Sequence, residues 1–238
     1  MAKIPYKRVM LKLSGEMLGG NKDGGIDVDS IMMIADEIAA LHREGVQVSV
    51  VIGGGNFFRG SLAEQFNMER AAADYMGMLG TCINALALQA VMENKMGIYT
   101  RVLTAIHMQE VAEPYIRRKA IKHLNKGRIV IFAGGTGNPL FTTDTAASLR
   151  ALEIGAEVII KATKVDGIYD CDPMKNANAK KYNELSYLEV LSKKLNVMDA
   201  TAITMCMEGK MPIVVSKLSG DGSIVKALED PNIGTLVR

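Results

Sequence analysis

Arg8-Val-Met-Leu-Lys12-Leu-Ser14-Gly15 and Val46-Gln-Val-Ser-Val-Val-Ile52-Gly53-Gly54-Gly55-Asn56 decide the fold. Each is an apolar run of strand length, interrupted only sparsely, that breaks off at glycine. Runs of that kind suit strands buried on both faces. A third, Arg128–Phe132, leads into Gly134-Gly135-Thr136-Gly137-Asn138. Farther out, Ile98–Leu103, Glu157–Lys161, Pro212–Ser216 and the short Thr235–Val237 also read as strands. Between them lie helical periods. Ile31, Ile34, Ile38 and Leu41 step by three and four, with Asp27 or Asp29 to cap the helix and Gly45 to end it. Thr142 or Thr143 can cap a helix through Ala146, Leu149 and Leu152 that stops at Gly155. Ser61-Leu-Ala-Glu64 and Ser186-Tyr-Leu-Glu189 have capping-box form. Strand and helix in alternation predict an α/β fold, a three-layer α/β/α sandwich around a mostly parallel sheet.

The chain of 238 residues is long enough for one such domain, and no flexible linker or repeat divides it. The polar stretch Val165–Leu185, with Gly167, Pro173, Asn176 and Asn178, reads as a hairpin at a lobe edge. We therefore expect a single domain, 1–238, with lobes of about 1–160 and 161–238.

Composition excludes several classes of function. Lysine and arginine number 28 against 26 aspartates and glutamates, so no basic field recommends nucleic acid. With no tryptophan and 5% aromatic residues there is little to stack bases on. Cys82, Cys171 and Cys206 are odd in number and far apart, and His42, His107 and His123 lack zinc spacing. The uncharged stretch Met76–Met92 contains Gly77, Gly80, Asn84 and Gln89, and reads as a buried helix rather than a membrane span. No targeting segment is seen. These features predict a reduced, cytoplasmic protein with no nucleic-acid or membrane partner.

The three glycine turns fall at the carboxyl ends of strands, the edge of an open parallel sheet where ligands bind. Taken singly, each is a strand-to-helix turn. Three on one edge predict a nucleotide site, because glycine lets backbone N–H groups approach phosphate closely. Neither GxxxxGK[ST] nor GxGxxG is present, so a P-loop kinase and a dinucleotide fold both fail. Lys12 lies in an apolar strand beside Ser14-Gly15, where a cation needs a partner. Arg59 is either a phosphate clamp or a surface arginine beside a helix, and Asp144 on its own reads as a first-turn aspartate serving the helix dipole. The basic run Arg117, Arg118, Lys119, Lys122, His123, Lys126 and Arg128 reads as a solvated face or an anion site for a regulator. Asp170-Cys171-Asp172 is a loose DxD pattern that is common by chance.

Lys12-Leu-Ser-Gly-Glu16, Gly53-Gly-Gly-Asn-Phe-Phe-Arg-Gly60, Asp74-Tyr-Met-Gly-Met78, Gly135-Thr-Gly-Asn-Pro-Leu-Phe-Thr-Thr-Asp144 and Lys161-Ala-Thr-Lys-Val-Asp-Gly167 together resemble the bacterial UMP kinases of the amino-acid kinase superfamily. The likeness covers essentially the whole chain. Leu140 departs from it, since phenylalanine is expected there.

The resemblance implies transfer of the γ-phosphoryl of ATP, with Mg²⁺ carried on the nucleotide phosphates and no dedicated protein cage for the metal, to UMP, giving UDP and ADP for pyrimidine nucleotide biosynthesis. It implies that Lys12, Leu13, Ser14 and Gly15 hold the ATP phosphates with Gly55 and Arg59, and that Thr163, Tyr169 and Asp172 meet the adenosine end. Gly54, Asp74 and Thr136, Gly137, Asn138, Pro139, Leu140, Phe141, Thr142 and Thr143 are implied to hold UMP. Lys12, Arg59, Asp144 and Asp199 carry the implied catalytic roles, with Asp144 orienting Lys12 and Asp199 organising the metal or phosphate cluster. Also implied are a homohexamer built from dimers, activation by GTP at Arg101, Arg117 and Arg128, movement of the Gly19–Gly25 loop, and inhibition by UTP. The N-terminal lobe is implied to bind UMP and mediate oligomerisation, and the C-terminal lobe to bind ATP. Two alternatives stay open: a carboxylate or carbamate kinase of the same superfamily, and a nucleotide-sensing regulator without turnover.

Overall fold

β1 (Arg8–Leu13) is the centre of the sheet, paired in parallel with β2 (Gln47–Ile52) on one side and β6 (Val158–Thr163) on the other. The computed structural model describes residues 4–20, 24–58, 65–176, 178–195, 197–230 and 232–238. Beyond β2 on the first side lie β5 (Ile129–Ala133), β3 (Thr100–Thr104) and β4 (Glu113–Pro114). Beyond β6 on the other lie β10 (Ile213–Lys217), β11 (Thr235–Val237) and β9 (Glu184–Leu185), completing nine strands. Among the described residues, the one antiparallel pairing in this sheet is β10 with β11. Because β1, β2 and β5 run parallel to one another, the glycine turns at their carboxyl ends all lie on one edge.

The layers arise from the period-2 alternation of strand side chains. Leu11 and Leu13 of β1 face a core shared with α1 (Gly15–Gly19), α2 (Val28–Arg43), α3 (Arg70–Asn94) and α8 (Ser223–Glu229). Met10 faces the opposite core, shared with α4 (Arg117–Asn125), α5 (Thr143–Ile154), α6 (Tyr187–Ser192) and α7 (Ala200–Glu208). The three-layer α/β/α arrangement expected from sequence is the one observed. The sheet runs unbroken across residue 160, because β1 and β6 are direct neighbours.

Local signals act where the sequence places them. Asp27 caps α2 by accepting from Ser30 N, Thr142 caps α5, and Gly155 ends α5 in the left-handed region. Ser186 and Glu189 form the reciprocal capping box. The second capping-box candidate, Ser61–Glu64, lies outside the described residues, as do residues 21–23 of the Gly19–Gly25 loop. The polar stretch after β6 contains the antiparallel pair β7 (Ile168–Tyr169) and β8 (Lys181–Tyr182), the expected hairpin.

Two expectations need correction. Helix α3 is not buried all round. Ala73, Met78, Cys82, Ala85, Leu88 and Met92 face the core, whereas Tyr75, Met76, Leu79 and Ile83 are 43–48% exposed. It is long and apolar enough to cross a membrane by length and composition, but it packs on the sheet through β3 and β5. The stretch carries no charge for a different reason on each side: the core on one, an apolar outer stripe on the other. The second correction concerns the helices expected after the glycine turns. α1 begins directly at its turn, whereas α5 starts six residues beyond Gly137; the helix expected after Gly53–Gly55 falls on residues 59–64, outside the described residues.

Candidate active site

Lys12 of β1 and Lys161 of β6 are register partners in adjacent parallel strands, so both side chains leave the same face of the sheet. Two like charges side by side in an apolar layer need a counter-ion. Asp144, in the first turn of α5, supplies it. Its Oδ1 lies 2.5 Å from Lys12 Nζ and its Oδ2 lies 3.1 Å from Lys161 Nζ, with the three side chains only 10–17% exposed. Burial pushes the Asp144 carboxyl up, but Lys12 and then Lys161 outweigh it and hold the group below the ordinary carboxylate range. Burial lowers Lys161, an effect that Asp144 partly reverses and Lys12 reinforces. Lys161 Nζ also donates to the carbonyl of Val197.

The helix does not need Asp144 for capping. Thr142 Oγ1 already accepts from the N–H groups of Asp144 and Thr145. The Asp144 carboxylate is not spent on capping and serves the lysines, in addition to its favourable place in the first turn of α5.

Two clefts flank this triad on the glycine edge. One, about 480 Å³, is lined by Lys161, Thr163, Tyr169, Asp172, Val197 and residues between them. Thr163 Oγ1 is tied to the backbone of Val165, Tyr169 donates to Asp166 at 2.6 Å, and Asp172 accepts from Met174 N at 2.9 Å. The other, about 170 Å³, is lined by Gly54, Gly55, Asp74, Gly77, Thr81, Gly135, Phe141, Thr142 and Thr143 among others. Gly55, expected on the ATP side, thus lines the second cleft.

The Ser14-Gly15 and Gly53–Gly55 turns touch between the clefts. A Cβ on Gly15 would overlap the carbonyl oxygen of Gly53, and one on Gly54 would overlap that of Gly77 in α3. Only glycine permits these two approaches.

The other residues expected to hold UMP lie in a loop beside α3. Thr136, Gly137, Asn138, Pro139 and Leu140 do not line the second cleft. They form a loop folded on itself, with Thr136 Oγ1 bonded to the backbone of Asn138 and Leu140 in the left-handed region at φ 73°. Leu140 N donates to Asp74 Oδ2 at 2.7 Å, so this carboxylate ties the loop to α3. The side chain of Leu140, the residue that departs from the expected phenylalanine, is 63% exposed.

Asp199 lies near the triad, close enough to act on the charge of Lys161. It is the N-cap of α7, accepting from Ala202 N at 2.9 Å, and it also accepts from the hydroxyls of Thr142 and Thr145. Its oxygens are committed to joining α7 to α5. Arg59 lies outside the described residues. Among the described residues no group of three His, Cys, Asp or Glu side chains converges as metal ligands, and Asp170-Cys171-Asp172 forms no such group.

Of the three arginines expected at a regulatory site, Arg101 pairs with Glu93 at 2.8 Å and lies 3.9 Å from Glu113. Arg128 contacts His123, which itself meets Glu113. Arg117 donates instead to the carbonyl of Glu153. The first two converge on the Glu113–His123 pair, and the third does not join them. On α4 only Ala120 and Leu124 are buried, so the basic run is largely a solvated face.

Lys161 is the main site residue that local sequence does not single out. Its signal is nonetheless present, since it is the sole charge in Val158-Ile-Ile-Lys-Ala-Thr163, as Lys12 is within Val9–Leu13. Thr145, buried at 3% exposure and bonded to Asp199, leaves no comparable mark in the sequence.

Comparison with known proteins identifies the family and the fold. A sequence profile described as the amino acid kinase family matches residues 7–217. The chain is 56% identical over 235 residues to the protein named uridylate kinase PUMPKIN, chloroplastic, of Arabidopsis thaliana, covering 98% of this chain and 69% of that one. Among solved structures, UMP kinase from Bacillus anthracis superposes with a TM-score of 0.95 at 40% identity, over 98% of this chain and 96% of the other. UMP kinase from Ureaplasma parvum gives 0.91 at 38%, over 97% and 98%. Uridylate kinase from Archaeoglobus fulgidus gives 0.73 at 29%, over 97% and 99%, so the backbone matches the two bacterial structures more closely than the archaeal one.

Proposed function

This chain belongs to the amino acid kinase family, and from that premise we propose how it works as a UMP kinase. The observation that carries the proposal is the Lys12–Asp144–Lys161 triad standing between two clefts on the glycine edge. The 480 Å³ cleft with Thr163, Tyr169 and Asp172 takes the adenosine of ATP, and the Leu13-Ser14-Gly15 turn takes its phosphates. The second cleft, with Gly54, Asp74, Phe141, Thr142 and Thr143, takes UMP. Gly55 lines the same cleft, the loop Thr136–Leu140 is assigned to UMP through its tie to Asp74, and Arg59, outside the described residues, is assigned to phosphate. On this reading the part of the chain before about residue 160 serves UMP, and the remainder serves ATP.

In the reaction, a phosphate oxygen of UMP forms a bond to the γ-phosphorus as the bond from that phosphorus to the β,γ-bridging oxygen breaks. The displaced electron pair stays on the β-phosphate of ADP. A UMP phosphate oxygen is already unprotonated near neutral pH, so no general base is required. What the protein must supply is alignment and positive charge where negative charge spreads. Lys12 supplies charge at the transferred group, Lys161 adds to the local field, and Asp144 fixes both ammonium groups. Asp199 acts through Thr142 and Thr145 as a positioning residue. Mg²⁺, entering on the ATP phosphates, would add further neutralisation; Asp144 and Asp199 are already engaged by protein donors, which fits a metal held through phosphate.

The acceptor assignment is tested by Asp74→Asn. Asp74 holds Leu140 N and borders the UMP cleft, so KM for UMP should rise about tenfold, the loss of roughly one charge-assisted hydrogen bond. KM for ATP should stay within twofold. Equal rises in both would reject the assignment.

Oligomer and regulation are proposed on separate grounds. Tyr75, Leu79 and Ile83 repeat every four residues along the outer face of α3, an exposed apolar stripe that supports subunit contact there. We assign it to the dimers of a homohexamer. Leu79→Asp combined with Ile83→Asp should reduce the sedimenting mass to that of smaller species; a wild-type chain that sediments as a monomer would contradict the assembly. GTP activation is assigned to the region of Arg101 and Arg128, with Arg117 nearby, and UTP inhibition to the UMP cleft. Both would appear as changed UDP formation on adding each nucleotide. UDP production would place the enzyme in pyrimidine nucleotide biosynthesis, and its compartment is proposed to be the cytoplasm.

A further inference from the structure

Asn84, fully buried in α3, forms a reciprocal amide pair with Asn56, which is itself 7% exposed and directly adjoins the Gly53–Gly55 turn. Asn84 Nδ2 donates to Asn56 Oδ1 at 2.7 Å and to the Gly53 carbonyl at 2.8 Å. Asn56 Nδ2 returns a bond to Asn84 Oδ1 at 2.9 Å and donates to the Gly25 carbonyl at 2.7 Å. Gly25 N in turn donates to Asn56 O at 3.0 Å. Both carboxamides are thereby used from both ends, within a helix whose buried neighbours are otherwise largely apolar. Beside them, Thr81 Oγ1 donates to Met78 O and accepts from Gly134 N at 2.8 Å, so α3 also holds the turn after β5.

An amide pair of this kind is a costly way to fill a core. A matched apolar pair would pack as well without desolvating four polar groups. What it specifies is position. The carbonyl of Gly53 and the side chain of Asn56 are the atoms against which Gly15 lies, since a Cβ there would overlap both. The pair therefore sets the separation between the Ser14-Gly15 turn and the Gly53–Gly55 turn, and through Gly54 it seats the latter on α3.

We propose that the Asn84–Asn56 pair is a positioning element for phosphoryl transfer: it fixes the spacing of the two turns that present donor and acceptor phosphates, without touching either nucleotide. This rests on the UMP kinase reading above. Misplacement of reacting groups by about 1 Å can cost on the order of a hundredfold in rate while each substrate still binds. Loss of the pair should therefore appear in kcat and leave both KM values nearly unchanged.

The test compares wild type with Asn84→Ala, Asn84→Asp and Asn56→Ser by steady-state UDP formation, with each protein's folded fraction measured by near-UV circular dichroism at the assay temperature. Asn84→Asp keeps the acceptor for Asn56 Nδ2 and loses both donors; Asn56→Ser, at the rim of the pair, keeps the folded state available if the helix variants unfold. The expected result is a fall in kcat of at least tenfold per folded molecule in every variant that folds, with KM for ATP and for UMP within about threefold. Unchanged kcat per folded molecule would overturn the inference while leaving the kinase reading intact. So would a loss carried by KM. Wild type that makes no UDP would overturn the kinase reading and this inference with it.

Discussion

Lys12→Met should lower kcat for UDP formation by about 10²–10³-fold, the typical cost of removing one preorganised group from a charge-stabilising site. The methionine matches the lysine stem in length, so the β1 packing around Met10, Leu11 and Leu13 survives and the protein should remain folded. Asp144 keeps Lys161 as its partner in the variant, which limits the structural loss. KM for UMP should move little, because Lys12 does not line the cleft proposed for UMP. An unchanged kcat would remove Lys12 from the mechanism. A loss expressed only in KM for ATP would make it a binding group instead.

Asp144→Ala carries the largest expected effect on stability. Removing one partner from a buried ionic cluster typically costs about 3–5 kcal/mol, because the charges left behind are uncompensated. Here the residue lost is the common counter-ion of Lys12 and Lys161, which are adjacent register partners. Lys161, already lowered by burial, loses the carboxylate that opposes that shift and should deprotonate more readily. For a chain of this size a Tm decrease of roughly 10 °C at pH 7 is expected. The pH dependence has a defined sign. Since the Asp144 carboxyl is depressed in the folded state, its contribution is complete above the ordinary carboxylate range. It fades as pH falls through the lower folded value, so the gap between wild type and variant should close only in acid. A Tm within a degree or two of wild type at pH 7 would show that the triad is not a stabilising cluster.

The strands at the centre of the sheet are legible because burial on both faces leaves long apolar runs; the expected and observed limits of β1 and β11 coincide. β7, β8 and β9 are two residues each and too short to carry a period, so that region reads only as polar and turn-rich. The start of α3 is not legible either. Glu69 makes no side-chain capping bond there, and the helix begins at Arg70, ahead of the uncharged stretch from Met76.

At the site, local sequence identifies Lys12 as a cation needing a partner, but not that Lys161 is its neighbour. That fact belongs to the register between β1 and β6, which are separated by more than half of the chain. Asp144 and Asp199 show the converse. Both are aspartates near a helix start, and sequence position alone does not say which one caps. Thr142 relieves Asp144 of that duty, whereas Asp199 is the cap itself. The Asn84–Asn56 pair is invisible in the same way, since its meaning lies in a contact between α3 and a turn 28 residues earlier.

On the proposed reading, the glycine edge transfers phosphoryl to a pyrimidine nucleotide. The most direct measurement is ADP release from Mg-ATP across UMP, CMP, dUMP, AMP, aspartate, N-acetylglutamate and carbamate. Selective turnover of UMP, with UDP formed in equal amount to ADP, is the predicted result. Turnover of a carboxylate or carbamate in preference to UMP would contradict it.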